Sequence, residues 1–538
     1  MRRALAVLLS LGAIGQLGGS CSGDGSGGSP PKLEIRSPDP RCVALPDAFG
    51  FPPGFAFVPG VPGRVLAATF SRPTLIPLDV NARPFGAPVG ATPYELPADS
   101  DGDGVAEFVQ FIDDVFALAP DLALVTLSGF EAVLFVAPDG GPRVVELETP
   151  AALPAHVLEG WPSPGAAPEA RMGLQNGICF VPPSGALDSR GERLVDVLDP
   201  ADYCEPGIAS FRAVFTAGAA VAAGHLFVVS SNVGVGSNGE NTQYLPGAVS
   251  VYELDLAVAP PRLRPSLATP NGRPIIASSA GHYNPTHISA YTTPGGREYV
   301  LVTLTGPIGI RADDPNTSAA EGGAVSLGDG GIDVIDAASL SLVAHIPLRG
   351  ANPSFRGLAI DPTGRIGIVG DVNARRLYAV DLAPLESLVP RPGDVIALDG
   401  SEGPNSVIFD GLTPFEIPAL PAGAPAVTCP GQIESVAFNH AGDLALAIDS
   451  CDGSLALVDV DLVRAPGPPL PRDRFAFRSL LGVTAPIRPE AVGLPRLPSD
   501  LAVRPGVPGE DYTGPDVFFL VGREEGLLCG LHIESPAP

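Results

Sequence analysis

Apolar residues in this chain come in runs of four to eight, rich in Val, Leu, Ile and Phe, and Gly, Pro, Asn or Asp separates one run from the next. Runs of that length between turn residues predict strands, whereas a helix needs ten or more residues with a 3.6-residue period. Beyond the first seventeen residues no long stretch shows that period. One cycle recurs. Residues 356–382 read as a short strand, a turn with Pro and Gly, a second strand, a polar turn, and a third strand with Val-Asp at its end. Residues 434–460 and 499–533 repeat the cycle, and looser copies lie at 54–80, 108–141, 211–255 and 286–338. Each unit is a small antiparallel sheet with two apolar faces. Such a sheet cannot bury both faces alone, but radial stacking buries each face against the next sheet.

The unit x-Ala-x-x-Pro-x-Gly, strand, turn, strand ending in Val-Asp resembles the YVTN- and NHL-type propeller repeats, over about residues 50–533. The resemblance implies an all-β fold, a seven-bladed β-propeller occupying residues 32–538. Two smaller β-domains or a pair of β-sandwiches are the rival arrangements. The resemblance says little about activity, because propellers carry many functions. A ring of blades needs its ends joined. Residues 32–46 (KLEIRSPDPRCVALP) are expected to form a closing strand beside GLLCGLHI (526–533), which brings Cys42 near Cys529.

The amino terminus reads as a targeting segment. Met1-Arg2-Arg3 precedes an apolar run, Ala4 to Leu17, which is too short to span a bilayer as a helix. Gly18, Gly19 and Ser20 lead to Cys21, and this resembles the lipobox of bacterial lipoproteins. The resemblance implies a signal peptide over 1–20, lipid on Cys21 and a Gly/Ser-rich tether over 21–31. The position three before the cysteine, usually Leu, is Gly18 here, with Leu17 one place further back. Ordinary signal-peptidase cleavage, with a periplasmic or secreted product, is the alternative. Ser22 stands where Asp would favour inner-membrane retention, so the expected place is the outer membrane of a bacterial envelope. The chain has 7 cysteines. Without Cys21 six remain, and an exported protein pairs them as disulfides rather than using them for metal. Cys179 and Cys204 share one insertion; Cys429 and Cys451 fall on one face of one blade. Fifteen pairings are open to six cysteines.

Composition narrows the partners. The net charge is −27, with no basic stripe, which excludes nucleic acid. The expected contact with the membrane is the lipid anchor only. The blades leave long insertions at 142–210, 231–246, 305–329 and 383–433. In a propeller, blade-to-blade connections and second-to-third-strand connections share one face, so the insertions of blades 2 to 4 are expected to crowd that face and carry the binding residues. One motif points to a cation. Asp99, Asp101 and Asp103, then Gly104 and Glu107, match the opening of an EF-hand-like calcium loop and the D-x-D-G-D-G loops of FG-GAP repeats, although position 12 is Gln110. A structural Ca²⁺ between blades 1 and 2 is the expectation. His282 and His287, in GHYNPTH, form a candidate polar site with a conceivable metal or acid–base role. There is no G-x-S-x-G, H-E-x-x-H or C-x-x-C motif. The reading is an envelope-anchored binding protein without catalysis, its partner a protein or envelope component held by the loops of blades 2 to 4. The alternatives are a propeller hydrolase resembling lactonases or esterases, with a divalent cation over the channel, and a scaffold of an outer-membrane assembly.

Overall fold

The computed structural model describes residues 41–45, 54–58, 61, 63–69, 74–81, 86–88, 94–95, 111–119, 122–128, 132–136, 216–230, 233–235, 242–244, 248–257, 262–270, 272, 275–279, 283–305, 308–310, 324–326, 330–348, 355–371, 376–390, 394–398, 415–416, 433–449, 453–460, 498–503, 517–522 and 527–532. The fold is all-β. Strand β1 (Arg41–Ala44), the first among the described residues, joins the last sheet. Sheet 1 holds β2 (Phe55–Phe57), β3 (Arg64–Thr69) and β4 (Thr74–Asp79), with β5 (Ala87–Pro88) and β6 (Tyr94–Glu95) both on β4. Sheet 2 holds β7 (Phe111–Ala119), β8 (Leu122–Ser128) and β9 (Ala132–Val136). Sheet 3 begins with β10 (Thr216–Ala222) and β11 (His225–Ser230); a separate ribbon, β12 (Val233–Val235) with β13 (Thr242–Tyr244), then intervenes. The sheet resumes with β14 (Ala248–Asp255), on which both β15 (Arg262–Pro265) and β16 (Ile275–Ala277) pair.

Sheet 4 follows the same plan. After β17 (Tyr283–Thr292) and β18 (Glu298–Thr305) comes a second ribbon, β19 (Ile308–Ile310) with β20 (Ala324–Ser326), and then β21 (Gly330–Asp336) and β22 (Ser341–Leu348). Sheet 5 holds β23 (Phe355–Ile360), β24 (Ile366–Asp371) and β25 (Arg376–Asp381). The chain then makes a short helix, α1 (Ala383–Ser387), and returns to sheet 4, where β26 (Ile396–Ala397) adds parallel to β22. It next gives β27 (Phe415–Glu416) to sheet 5. Sheet 6 holds β28 (Ile433–Phe438), β29 (Leu444–Asp449) and β30 (Ser454–Asp459). Sheet 7 holds β31 (Pro498–Val503), β32 (Val517–Gly522) and β33 (Leu527–His532), with β1 on its outer edge.

Local chemistry explains the recurring letters. Between first and second strands, Asp361-Pro-Thr-Gly364 makes a tight turn in which Gly364 N–H donates to Asp361 O at 2.8 Å. Gly364 has φ +67°, a left-handed conformation that glycine adopts without penalty. The Asp361 carboxylate accepts from the N–H groups of Arg365 and Ile366, both at 2.7 Å, and so fixes the entry to β24. In sheet 6 Asn439 plays the same part, its Oδ1 accepting from Leu444 N–H at 3.0 Å. The closing Asp of the third strand also has a mechanism. Asp79, Asp255 and Asp381 each accept from the N–H two residues on, and Asp336 from Ser339 N–H three residues on. An Asp so placed bends the chain out of the sheet.

Apolar packing lies between consecutive sheets. One cluster joins sheets 3 and 4 (Phe227, Val251, Val300, Leu304) and another joins sheets 4 and 5 (Leu301, Ile346, Phe355, Tyr378). Others join sheets 5 and 6 (Ile368, Ala447), 6 and 7 (Leu446, Leu531), 7 and 1 (Leu528, Ile76) and 2 and 3 (Leu124, Val228). First strands lie side by side: β2 touches β7, β7 touches β10, and the contacts run on through β17, β23, β28 and β31 back to β2. β17 and β23 run the same way. Ser289 Oγ donates to Leu358 O at 3.3 Å, and further along Tyr291 Oη donates to Gly364 O at 2.6 Å.

Candidate functional site

The two ribbons are a matched pair. Each starts three residues after a second strand ends: β11 ends at Ser230 and β12 starts at Val233; β18 ends at Thr305 and β19 starts at Ile308. Each returns with the same spacing, from Tyr244 to Ala248 and from Ser326 to Gly330. The outgoing strands read Val-Gly-Val and Ile-Gly-Ile, and their central glycines pair with Gln243 and Val325. Both ribbons leave neighbouring sheets at the same end of the third strand, so they rise from one face. Between the paired strands lie residues 236–241 in one ribbon and 311–323 in the other, outside the described residues. The pairing has a sequence signal that the blade repeat does not contain, the Val-Gly-Val and Ile-Gly-Ile triplets at equal distance from their strands.

A buried polar cluster lies at the sheet 3–sheet 4 boundary. Ser279, on the way out of sheet 3, donates its Oγ–H to Asp333 Oδ1 at 2.6 Å and its N–H to Asp333 Oδ2 at 2.8 Å. His345 Nδ1 is 2.8 Å from the same Oδ1 and 3.1 Å from Ser279 Oγ. Asp333 and His345 are cross-strand partners, and His345 O accepts from Leu398 N–H at 2.8 Å as β26 docks. By residue type this is a nucleophile–base–carboxylate set. Its geometry is different: hydroxyl and carboxylate crowd one ring nitrogen, so no relay runs from serine through imidazole to carboxylate. The other ring edge lies against Gly331, where an added Cβ would come within 2.6 Å of Nε2. The cluster is therefore a clasp that ties together chain leaving sheet 3, sheet 4 and chain returning from sheet 5. Its members are 54 and 66 residues from Ser279, with no local motif to reveal them.

Of the residues proposed from sequence, Cys42 and Cys529 are joined, with Cα atoms 4.1 Å apart. They are direct partners in the β1–β33 register. His287 lies on β17, with its Nε2 3.0 Å from Ser289 Oγ. Burial, then the nearby Arg356 guanidinium, pulls its pKa down to about 4 against the opposing hydrogen bond to the Leu358 backbone, so the ring is neutral at physiological pH. A neutral imidazole stitched to Ser289 and β23 acts as a strut between sheets 4 and 5. Cys21, Asp99, Asp101, Asp103, Glu107, Cys179, Cys204, Cys429, Cys451 and His282 lie outside the described residues. Among the described residues no three His, Cys, Asp or Glu side chains gather as a metal site, and no helix is long and apolar enough to cross a membrane.

No protein-family model matches the chain, and no curated protein sequence does. Solved structures do align with it. Hydrazine synthase of Kuenenia stuttgartiensis aligns over 92% of this chain and 97% of its own, at 11% identity and a TM-score of 0.48. The Cps50 (Swd1) β-propeller domain of Myceliophteria thermophila aligns over 92% and 100%, at 11% identity and a TM-score of 0.42. The Dos1 propeller aligns over 92% and 94%, at 10% identity and a TM-score of 0.39.

Proposed function

We propose that the chain is an exported seven-bladed β-propeller that binds a protein or other envelope component through the ribbon face. The matched ribbons of sheets 3 and 4 carry this reading. Equal offsets at both bases with tips of different length are what a rigid scaffold presenting variable recognition loops requires. The seven-bladed, closed form is supported by the succession of sheets, by the side-by-side first strands and by β1 on the edge of β33. A disulfide across that edge suits an oxidising compartment. Lipid on Cys21 would hold the protein to the outer membrane, and a structural Ca²⁺ at Asp99, Asp101, Asp103 and Glu107 would stiffen the link between blades 1 and 2.

The test is affinity capture from the producing cell's own membranes after mild cross-linking, with the intact chain beside a variant whose tips, 236–241 and 311–323, are each replaced by Asn-Gly. The expected result is reproducible partners that disappear with the tips while the thermal unfolding midpoint stays put. Partners that persist without the tips, or an intact chain recovered alone, would overturn the reading.

A further inference from the structure

We infer that the Cys42–Cys529 disulfide is a seal and not a switch: it forms when the last sheet closes, and the folded chain then shields it from thiols. The two cysteines are 487 residues apart and meet only through the register of β1 on β33. A loop of that length closes rarely in an open chain, and shorter loops between other cysteines close more often. Oxidation of this pair by a disulfide-form oxidant therefore waits until sheets 1 to 7 stand between the two ends. The pair then gives up two electrons and two protons, and the oxidant becomes a dithiol.

Once formed, the bond is protected unequally. Cys529 has no exposed surface and packs among Leu444, Leu446, Leu457 and Leu531, while Cys42 is only part-buried. An incoming thiolate thus meets Cys42 first. Attack there makes a mixed disulfide on Cys42, breaks the bond to Cys529 and leaves the Cys529 thiolate inside an apolar cluster. Burial raises a thiol's pKa and makes its thiolate a poor leaving group. A second thiol would then free Cys42, with the reductant ending as its own disulfide. The slow step is the lifting of β1 from β33, which first exposes the leaving sulfur to water.

The experiment uses the full, disulfide-intact chain with reduced glutathione at fixed pH. Samples are alkylated over time, and peptide masses report the state of each cysteine, in buffer and in denaturing urea. Reduction in buffer is expected to be about 100-fold slower than in the unfolded chain or slower still, to speed up in sub-denaturing urea, and to trap glutathione on Cys42. A rate in buffer within a few-fold of the unfolded rate, or an adduct on Cys529, would overturn the inference.

Discussion

The chain passes from sheet 4 to sheet 5 within a few residues, and non-covalent contacts secure that junction many times over. Leu301 and Ile346 of sheet 4 pack with Phe355 and Tyr378 of sheet 5 in one buried cluster. Arg297, held by Asp336 Oδ2 at 2.7 Å, donates through Nη1 to Leu388 O, just beyond α1. Tyr299 Oη donates to Leu385 O of α1 at 2.9 Å. Sheet 7 is built otherwise. Its outer strand is four residues from the far end of the chain, and a covalent bond stands beside four residue pairs. Where chain continuity already keeps two sheets close, side chains suffice to lock them. Where the two ends must meet, connectivity gives no help, and a disulfide supplies what sequence proximity does not.

That contrast can be broken at its covalent end first. The double variant Cys42→Ser, Cys529→Ser should lose about 4–6 kcal/mol of unfolding free energy in the chain-entropy account, read from urea midpoints and slopes. A loss below about 1 kcal/mol would mean that packing alone closes sheet 7. At the non-covalent junction, Phe355→Ala should cost about 3–5 kcal/mol by cavity formation, since Phe355 is fully buried. If amide exchange speeds up as much in sheets 1 and 7 as in sheets 4 and 5, the damage is global rather than local to the junction.

The clasp sharpens the comparison. Asp333→Asn should cost about 2–4 kcal/mol by setting a donor against donors, and Ser279→Ala about 1–2 kcal/mol. The double variant should lose less than the sum, because both changes remove the same bonds; strict additivity would show that the cluster does not act as a unit. The last effect concerns acid. The His287 pKa falls from 6.5 to about 4 on folding, so as pH drops the unfolded chain takes up its proton first. Stability from this residue is full above about pH 6.5 and declines toward pH 4, by about 2–3 kcal/mol. His287→Gln should lose correspondingly less between those pH values in the same urea assay, and equal losses would remove His287 from the account.

Much of this was readable in the letters. Turn residues such as Asp361 and Gly364 and the closing Asp79, Asp255, Asp336 and Asp381 act over two to five residues, which sequence inspection sees directly. The pairing of β1 with β33 was expected of residues 32–46 beside GLLCGLHI. The clasp was invisible, because Ser279, Asp333 and His345 are ordinary residues brought together by sheet 4's register and by the approach of the chain leaving sheet 3. The return of β26 to sheet 4 was equally hidden: two residues in a long insertion carry no strand signal, and the parallel pairing depends on where α1 sets the chain. His287 was noticed for its chemistry, but its role as a strut depends on β23, which sequence alone does not place beside it.

β1 runs antiparallel to β33, with Arg41 opposite Gly530 and Ala44 opposite Leu527. The chain therefore enters β1 and leaves β33 on the same side of sheet 7, the side on which third strands finish. The ribbons stand where third strands start. The two ends of the described chain and the two ribbons therefore stand at opposite ends of the third strands.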